Sequence, residues 1–496
     1  MADHPSLRAY LDSIPQSLLR VPGMSVLHEI TALQYALEAQ GRRPVVLVQR
    51  PRLPDGSDSA LPVVCNLTAS RVLTAAALGI ADHRQAARAF AEMTGQPIPP
   101  IRVAMQQAPV QQHIERGEAA SLERLPALKQ HALDPGRYLT ASHAITIDPD
   151  SGVDNTAIQR SWIKGPRRMS WYPYPGTHNA RNLRKWWAKG KPCPVAFWIG
   201  HHPAVSIGAQ AKLAYGESHW GAAGALAGSA LRLVPSLTHG DALMVPADAE
   251  VVIEGFAPPG VLEADGPFGE YAGYMGAQTL APVCEVTAIT RRSDAIWHDY
   301  ASGLADMLVP DNMALEGKLW QMIRAVTPSI EAIHIPVSGR RFHAWLQLRD
   351  PAMGEARDAL TAALAQRRIK MAVAVNGDVD IFSDADMMWA LATRVQWSRD
   401  TFTLEGMSGS ALDPSWAAGA RTTSKIGIDA TLAPGVSGVA GGAGAAAGAG
   451  SDAARSSTVP APVAPRSAVP AEALRQAQAV LGTLQADGQA QDWPTL

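Results

Sequence analysis

Apolar residues change their spacing along the chain, and each spacing predicts a different kind of element. Residues 30–40 carry them at helical intervals, whereas Val45–Val48 is a short apolar run typical of a buried strand, so residues 6–110 predict a small α/β unit. From about residue 139 to 300 the runs become short, β-rich and separated by Gly, Pro, Asp and His. Short strands separated by such residues predict a sheet or a partly open barrel whose loops carry function.

The C-terminal part of the chain contains both helix-type and strand-type patterns of apolar residues, followed by a segment with neither. Residues 355–366 have the spacing of an amphipathic helix, and residues 370–375 have the composition of a buried strand. Residues 435–465 then consist mostly of Gly, Ala, Ser and Pro, which predicts a flexible linker. After it, Pro470 begins a short predicted helix, whose apolar stripe has to pack on the protein itself or on a neighbouring subunit.

These patterns predict an α/β (α+β) protein of several domains. We place an N-terminal α/β domain at residues 1–115, a β-rich domain at 116–312, a C-terminal α/β domain at 313–434, a linker at 435–469 and a terminal helix at 470–496. At 496 residues the chain is too long for one ordinary hydrophobic core, which agrees with this division.

The composition excludes several classes of function. A formal net charge of −2 provides no field that would recruit nucleic acid or an acidic membrane surface, so we interpret residues 181–191, with their two tryptophans, as an amphipathic helix that packs these rings inward. Three widely spaced cysteines argue against a disulfide framework or a zinc cluster. No secretory signal and no apolar run long enough to span a bilayer is visible, so we expect a cytoplasmic protein.

The most informative candidate chemistry lies between Asp265 and Glu270, where two carboxylates flank Gly-Pro-Phe-Gly. A segment so rich in Gly and Pro predicts a rigid loop, and both acids can share one site there beside apolar Phe268. A carboxyl group held near another and partly removed from water has a raised pKa, as a proton donor near neutral pH requires. The alternative is a polar turn between two strands.

Upstream, Asn155, Arg160 and His178 complement the acidic loop. An arginine beside the two carboxylates could neutralise one of them and let the other keep its proton, or could bind a substrate carboxylate. Asn and His with one more oxygen or nitrogen donor suit a cation that holds a cofactor phosphate. Taken singly, the three residues have ordinary alternatives as a turn residue, a surface base and a loop histidine.

Five motifs, in order along the chain, give these residues a family context. They are Asp148-Pro-Asp-Ser-Gly-Val-Asp-Asn155 with Arg160, Pro246-Ala-Asp-Ala-Glu-Val-Val-Ile-Glu-Gly255, Asp265-Gly-Pro-Phe-Gly-Glu270, Asp378-Val-Asp-Ile-Phe382 and Ser424-Lys-Ile-Gly-Ile-Asp-Ala-Thr431. Over residues 6–431 the chain resembles the UbiD-like decarboxylases, which depend on prenylated FMN. The resemblance implies that residues 116–312 form a split-barrel-like flavin-binding domain and that residues 313–434 form an oligomerisation domain.

The family's catalytic pattern falls on Arg160, Asp265 and Glu270. The resemblance implies that Glu270 donates a proton to the carbon that loses CO2 and that Arg160 orients the substrate carboxylate and the cofactor. Asp265 stands where many relatives carry glutamate, which shortens its reach by one methylene. Side chains offer no electron sink for decarboxylation at an sp2 carbon, and in this family prenylated FMN supplies one.

The resemblance also implies a metal site. Relatives join the cofactor phosphate to Mn2+ held by Asn, His and Glu, with K+ nearby, and Asn155 and His178 match the first two ligands. For the third ligand we favour Glu217 slightly. The alternative is His219, which stands four residues before Ala223-Gly224, where relatives carry glutamate.

The remaining implications concern the cofactor, the partners and the oligomer. The expected cofactor-binding residues are Asn155, Ile158, Arg160, His178 and Lys425. Of these, Lys425 resembles a family lysine near the cofactor phosphate and could equally be an ordinary lysine at the end of a strand. A flavin prenyltransferase would supply the cofactor, and family members are commonly homodimers or larger homo-oligomers.

The function implied is that of a carboxy-lyase that reversibly decarboxylates an aromatic or heteroaromatic acid, phenolic and dicarboxylic acids included, and releases CO2. His298, Asp299 and Tyr300 follow a predicted strand and could face the substrate. One alternative changes the substrate to a polyprenyl hydroxybenzoate or an aryl-CoA thioester. The alternative from another class is a non-catalytic flavin-binding subunit, against which the presence of both Glu270 and Arg160 argues.

Overall fold

The structure, a computed structural model, describes residues 4–416 and 419–432. The linker and the terminal helix predicted at residues 435–469 and 470–496 lie outside these ranges. Helices and strands alternate through the described part, which gives the predicted α/β (α+β) class. Among its helices we find none that combines the length and the apolar character needed to cross a lipid bilayer.

The first part of the chain forms helices around a small sheet. Its elements are α1 (Leu7–Ser13), β1 (Leu18–Val21), α2 (Glu29–Ala39), β2 (Val45–Val48), β3 (Val63–Cys65), α3 (Arg71–Ala77) and α4 (Ala86–Thr94). The predicted helix and the predicted buried strand are confirmed as α2 and β2. Strand β2 pairs with β1 in parallel and with β3 antiparallel, and a later strand, Trp297–His298, adds to β3 in parallel.

The middle of the chain is rich in strands. Its elements are β4 (Ile101–Arg102), β5 (His113–Arg116), β6 (Tyr138–Leu139), β7 (His143–Ile147), β8 (Asp154–Ile158), β9 (Ser161–Gly165), β10 (Arg168–Trp171), α5 (His178–Ala188), β11 (Cys193–Ile199), α6 (Pro203–Gly208), α7 (His219–Ala227), β12 (Arg232–Ser236), β13 (Gly240–Pro246), β14 (Val251–Ala257), β15 (Leu262–Asp265), β16 (Phe268–Gly269), β17 (Met275–Gly276), β18 (Thr279–Arg291) and β19 (Trp297–His298).

The largest sheet of the described residues has ten strands. Its path runs β6-β9-β10-β18-β14-β11-β7-β8, and β5 and β15 also pair with β18. Because the path ends at β6 on one side and at β8 on the other, these strands form an open sheet and not a closed barrel. Strand β18 has 13 residues and is longer than the short runs predicted for this region, because it serves as the partner of β5, β10, β14 and β15.

Helix α5 lies against this sheet as the sequence predicted. Trp186 and Trp187 pack against the hydrophobic core, and their indole N–H groups donate to Ile147 O at 2.8 Å and Ala257 O at 3.0 Å. These contacts fix the helix through its tryptophans. Its first residue, His178, is thereby held at the edge of the sheet near the end of β8.

The C-terminal part forms a second α/β layer. Its elements are α8 (Ala305–Arg324), β20 (Ile330–His334), β21 (His343–Leu348), α9 (Glu355–Leu364), β22 (Met371–Asn376), α10 (Asp384–Arg394), α11 (Trp397–Asp400), β23 (Thr401–Met407) and β24 (Thr423–Asp429). The strands follow the order β20-β21-β22-β24-β23. Helix α9 buries Ala359, Leu360, Ala363 and Leu364 on one face, which confirms the predicted amphipathic helix.

Candidate active site

The two acids of the predicted loop lie at the ends of short strands. Asp265 is the last residue of β15, and Glu270 follows β16 directly. Strand β16 pairs with β17, and the Glu270 N–H donates to Tyr274 O at 2.9 Å, while the Gly273 N–H donates to Glu270 O at 2.9 Å. Glu270 is therefore the first residue of a tight hairpin loop, and its backbone is fixed from both sides.

Arg160 lies between β8 and β9 and reaches both acids. Its Nε donates to Asp265 Oδ2 at 2.9 Å, and its Nη1 contacts Glu270 Oε1. The guanidinium also lies over two aromatic rings, 4.5 Å from the centroid of Tyr172 and 5.1 Å from that of Phe268. Rings on a cation and carboxylates at its edge are both stabilising, so the position of Arg160 is strongly determined.

The environments of the two acids differ. The Asp265 side chain has no exposed surface, and its Oδ1 accepts a hydrogen bond from Ser170 Oγ at 2.7 Å. The Glu270 side chain keeps 17% of its surface exposed. Burial raises the pKa of Glu270 even though Arg160 acts in the opposite direction. The arrangement makes Asp265 a fixed acceptor, and it makes Glu270 the acid that can hold a proton and release it.

A cavity of about 620 Å3 opens beside this trio. Most of the predicted site residues line it, namely Asn155, Ile158, Arg160, His178 and Glu270. Asp265 does not line the cavity, but it contacts Arg160, which does. A cavity of this size is typical of sites that enclose a small-molecule ligand or cofactor.

Asn155 presents a side-chain oxygen at one end of the cavity. Its Nδ2 donates to Asn179 Oδ1 at 2.6 Å, so that the amide nitrogen faces away from the cavity. Asn179 is itself fixed because its Nδ2 donates to Ala144 O and to Gln159 Oε1, each at 3.0 Å. The network orients the Asn155 oxygen as an acceptor for a cation or a donor group.

Two histidines line the same end of the cavity, each as the first residue of a helix. His178 begins α5, which Thr177 caps, and His219 begins α7, which Ser218 caps. Burial lowers the pKa of His219 to about 4 and also lowers the pKa of His178, so both rings are neutral near pH 7. Neutral imidazoles can act as ligands to a metal ion.

The structure does not bring Glu217 or Lys425 to the cavity wall. Glu217 is exposed, and its carboxylate accepts a hydrogen bond from the Ala214 N–H at 2.8 Å. The Lys425 side chain is buried, and its Nζ donates to Leu364 O at 2.8 Å and to Gln366 O at 2.7 Å. Lys425 therefore holds the end of α9 and the segment after it through two backbone carbonyl groups.

A cluster of charged residues that the sequence analysis did not predict also lines the cavity. Asp311 of α8 lies 3.0 Å from Arg341 Nη1 and 2.6 Å from Arg368 Nη1, and it also contacts Lys212 Nζ. Although burial raises the pKa of Asp311, the three cations hold it well below its usual range. Lys318 and Arg367 add positive charge to this wall, which suits an anionic group such as a phosphate. The only sequence signals are the adjacent arginine pairs at 340–341 and 367–368.

Of the residues expected to face the substrate, Tyr300 lines the cavity. His298 is buried and does not line it, and Asp299 accepts hydrogen bonds from Thr140 Oγ1 at 2.6 Å and Gln130 Nε2 at 3.1 Å. Asp299 thus belongs to the support beneath the cavity, and burial raises its pKa to about 7.

Comparisons with known proteins show a family relation for this chain. Residues 101–305 match the model of the UbiD family's 3-octaprenyl-4-hydroxybenzoate carboxy-lyase Rift-related domain, and residues 312–430 match its C-terminal domain. An anhydromevalonate phosphate decarboxylase from Methanothermobacter thermautotrophicus is 28% identical over 318 residues, which cover 64% of this chain and 74% of the relative.

Solved structures of similar proteins have the same fold. The UbiD-class enzyme HmfF from Pelotomaculum thermopropionicum, in complex with FMN, is 35% identical, with a TM-score of 0.81 over 87% of this chain and 95% of that one. An evolved dimeric form of HmfF was solved with prFMN and is 34% identical, with a TM-score of 0.78 over 86% and 95% of the two chains. The chain described here therefore belongs to the UbiD family of carboxy-lyases.

Proposed function

We propose that this chain uses prenylated FMN to decarboxylate an aromatic or heteroaromatic acid reversibly, with Glu270 as the proton donor and Arg160 orienting the substrate and the cofactor. The observation that carries the proposal is the placement of Arg160, which Asp265 holds while it contacts Glu270 at the wall of the cavity. The family membership supports the reaction type, and this arrangement supports the roles of the individual residues.

Several residues that line the cavity fit the cofactor. Asn155 and His178 offer an oxygen and a nitrogen for Mn2+ at a phosphate, and the cations around Asp311 provide further charge for the same anion. Ile158, Arg160 and Glu270 line the same cavity as Asn155 and His178. Prenylated FMN, when bound, supplies the electron sink that these side chains lack. K+ near the phosphate, proposed from the family resemblance, completes the set of cofactors.

The side chains account for the proton and for the exclusion of water. Loss of CO2 from a carboxylate leaves an electron pair on carbon, and the Glu270 carboxyl donates the proton that pairs with it. Because the Glu270 side chain is 17% exposed, the resulting carboxylate can take a new proton from solvent. Tyr172 and Phe268 shield Arg160 from water and strengthen its attraction for a carboxylate. At high CO2 the same residues serve the reverse direction.

The lining of the cavity supports a flat acid with a second polar group. Tyr172, Phe268 and Tyr300 supply aromatic surface to the cavity, and Arg341 supplies positive charge near Glu270. This combination favours phenolic, heteroaromatic or dicarboxylic acids as substrates. Following the family resemblance, we also propose that a flavin prenyltransferase supplies the cofactor and that the chain acts as a homodimer or a larger homo-oligomer.

The test is to co-express the chain with a flavin prenyltransferase and to identify the released small molecule by mass spectrometry. Prenylated FMN in the released fraction, followed by CO2 release from aromatic acids, is the expected result. Glu270→Gln should bind the same amount of cofactor and release CO2 at least about 10²-fold more slowly. A protein that carries prenylated FMN and releases no CO2 from any acid of a broad aromatic and heteroaromatic panel would contradict the proposed reaction.

A further inference from the structure

His219 lines the cavity, and one of its two ring nitrogens makes no hydrogen bond to the described residues. The residue is 6% exposed, and its Nδ1 is buried without a hydrogen-bond partner among the described residues. Its Nε2 lies 3.2 Å from Ala211 O. A carbonyl oxygen can only accept, so Nε2 carries the ring proton and Nδ1 carries a lone pair. A buried acceptor left without a partner costs free energy, so this nitrogen is available to a donor group or a cation at the cavity.

The surrounding contacts fix His219 beside the other two candidate ligands. Ser218 Oγ donates to Asp154 Oδ1 at 2.6 Å, which ties the start of α7 to the start of β8, next to Asn155. On the other side, the Tyr215 ring packs edge-on against His178 at 5.3 Å. The segment that carries His219 is thus attached both to the strand of Asn155 and to the helix of His178, and all three candidate ligands line one cavity.

We infer that His219, through Nδ1, is the third protein ligand of the divalent metal at the cofactor phosphate, and that Glu217 is not a ligand. The inference rests on the proposed function, because that function places a metal at this end of the cavity. The Nε2 contact with a backbone carbonyl is the usual partner of a metal-binding imidazole, since it fixes the tautomer and aims the free nitrogen. Glu217 lacks these features, because it is exposed and its carboxylate caps the Ala214 N–H.

A site with one amide oxygen and two imidazole nitrogens has no charge of its own. The metal's positive charge is then balanced mainly by the cofactor phosphate, so metal and phosphate bind with strong mutual dependence. FMN should therefore increase the affinity for the metal, whereas riboflavin, which lacks the phosphate, should not. Nitrogen ligands also favour first-row transition ions over Mg2+ and Ca2+, which prefer oxygen ligands.

The experiment measures bound Mn2+ by atomic emission after equilibrium dialysis of the full chain with FMN or riboflavin. Wild type should bind about one Mn2+ per bound FMN, and Glu217→Gln should match it. His219→Ala should bind Mn2+ at least about tenfold more weakly, and added imidazole should restore part of the loss, which a purely structural role would not allow. His219→Glu provides a second test if the alanine variant does not fold, because it replaces the nitrogen ligand with an oxygen ligand. It should retain the metal and bind Mg2+ better, relative to Mn2+, than wild type does.

The inference would be overturned by loss of Mn2+ in Glu217→Gln, by unchanged Mn2+ in a folded His219→Ala, or by a wild type that binds no metal in the presence of FMN. CO2 release is measured separately on protein loaded with prenylated FMN. If the metal results are as expected and no acid is decarboxylated, the proposed function fails while the ligand assignment stands. If acids are decarboxylated and Glu217→Gln loses the metal, the ligand assignment fails while the proposed function stands.

Discussion

Arg160 and Asp265 are joined side-on, with the Nε and Nη2 atoms of the guanidinium 2.9 Å and 2.8 Å from Oδ2 of the carboxylate. The other oxygen of Asp265 accepts from Ser170, and the carboxylate is fully buried and does not line the cavity. Under the proposed function, Asp265 orients Arg160. Glu270 contacts the remaining nitrogen of the guanidinium, Nη1, and lines the cavity.

The first prediction concerns the proton donor. Glu270→Gln keeps the shape of the side chain and removes its acidic proton, so kcat for CO2 release should fall by about 10²- to 10⁴-fold, the usual contribution of general acid catalysis. The matched control is Glu263→Gln, which changes a glutamate two residues before Asp265 that pairs with Arg168. It should leave kcat within about twofold, since a surface ion pair contributes little. Equal losses in both variants would remove Glu270 from its assigned role.

The second prediction is the pH dependence of kcat. Glu270 has to be protonated to donate, so kcat should fall as pH rises through the pKa of Glu270, which burial raises. The Asp265 charge also raises this pKa, whereas the Arg341 charge lowers it. Asp265→Asn should therefore move the falling limb to lower pH, and Arg341→Met should move it to higher pH. Shifts of the same sign in both variants would exclude Glu270 as the titrating group.

Local patterns along the sequence predicted individual elements well. Strand β2 is a short run of apolar residues, and helix α9 has apolar residues at helical spacing. Both patterns lie within the element itself, so the local sequence is enough to predict each position. Strand β18 was predicted too short because its 13 residues are stabilised by several partner strands, none of which is visible in its own sequence. The family relation predicted from the five motifs is confirmed.

The site was predictable only in part. Arg160, Asp265 and Glu270 meet across sequence separations of 105 and 110 residues, and the motifs brought them together where spacing could not. The cluster around Asp311 was missed because its members come from four separate segments and carry no shared motif. The third metal ligand was left open because the sequence places Glu217 and His219 close together, and only the fold distinguishes an exposed side chain from a buried one.

The third prediction concerns a hydroxyl pair beside the proton donor. The hydroxyl groups of Tyr271 and Ser410 lie 2.7 Å apart and connect the residue after Glu270 to the C-terminal layer, while Arg341 lies 4.8 Å from the Tyr271 ring. Tyr271→Phe and Ser410→Ala each remove this hydrogen bond, so each should lower kcat by roughly two- to tenfold. The double variant should be no slower than the slower single variant. Additive losses would show that the pair does not act as one contact.

The fourth prediction concerns the charges around Asp311 at the cavity wall. Asp311 is the shared partner of Lys212, Arg341 and Arg368, so Asp311→Asn leaves three clustered cations without their counterion. Breaking a buried ion pair from one side costs about 3–5 kcal/mol, and we expect a loss of this size in the free energy of unfolding.

The matched control is Asp241→Asn, which breaks an exposed pair with Arg102 and should cost less than about 1 kcal/mol. FMN provides the decisive measurement, because its phosphate can replace the missing negative charge beside the cations. Thermal unfolding should therefore show a larger stabilisation by FMN in Asp311→Asn than in wild type, whereas riboflavin should stabilise both equally. Equal shifts with FMN would mean that the cluster balances its own charges and takes no part in binding the phosphate.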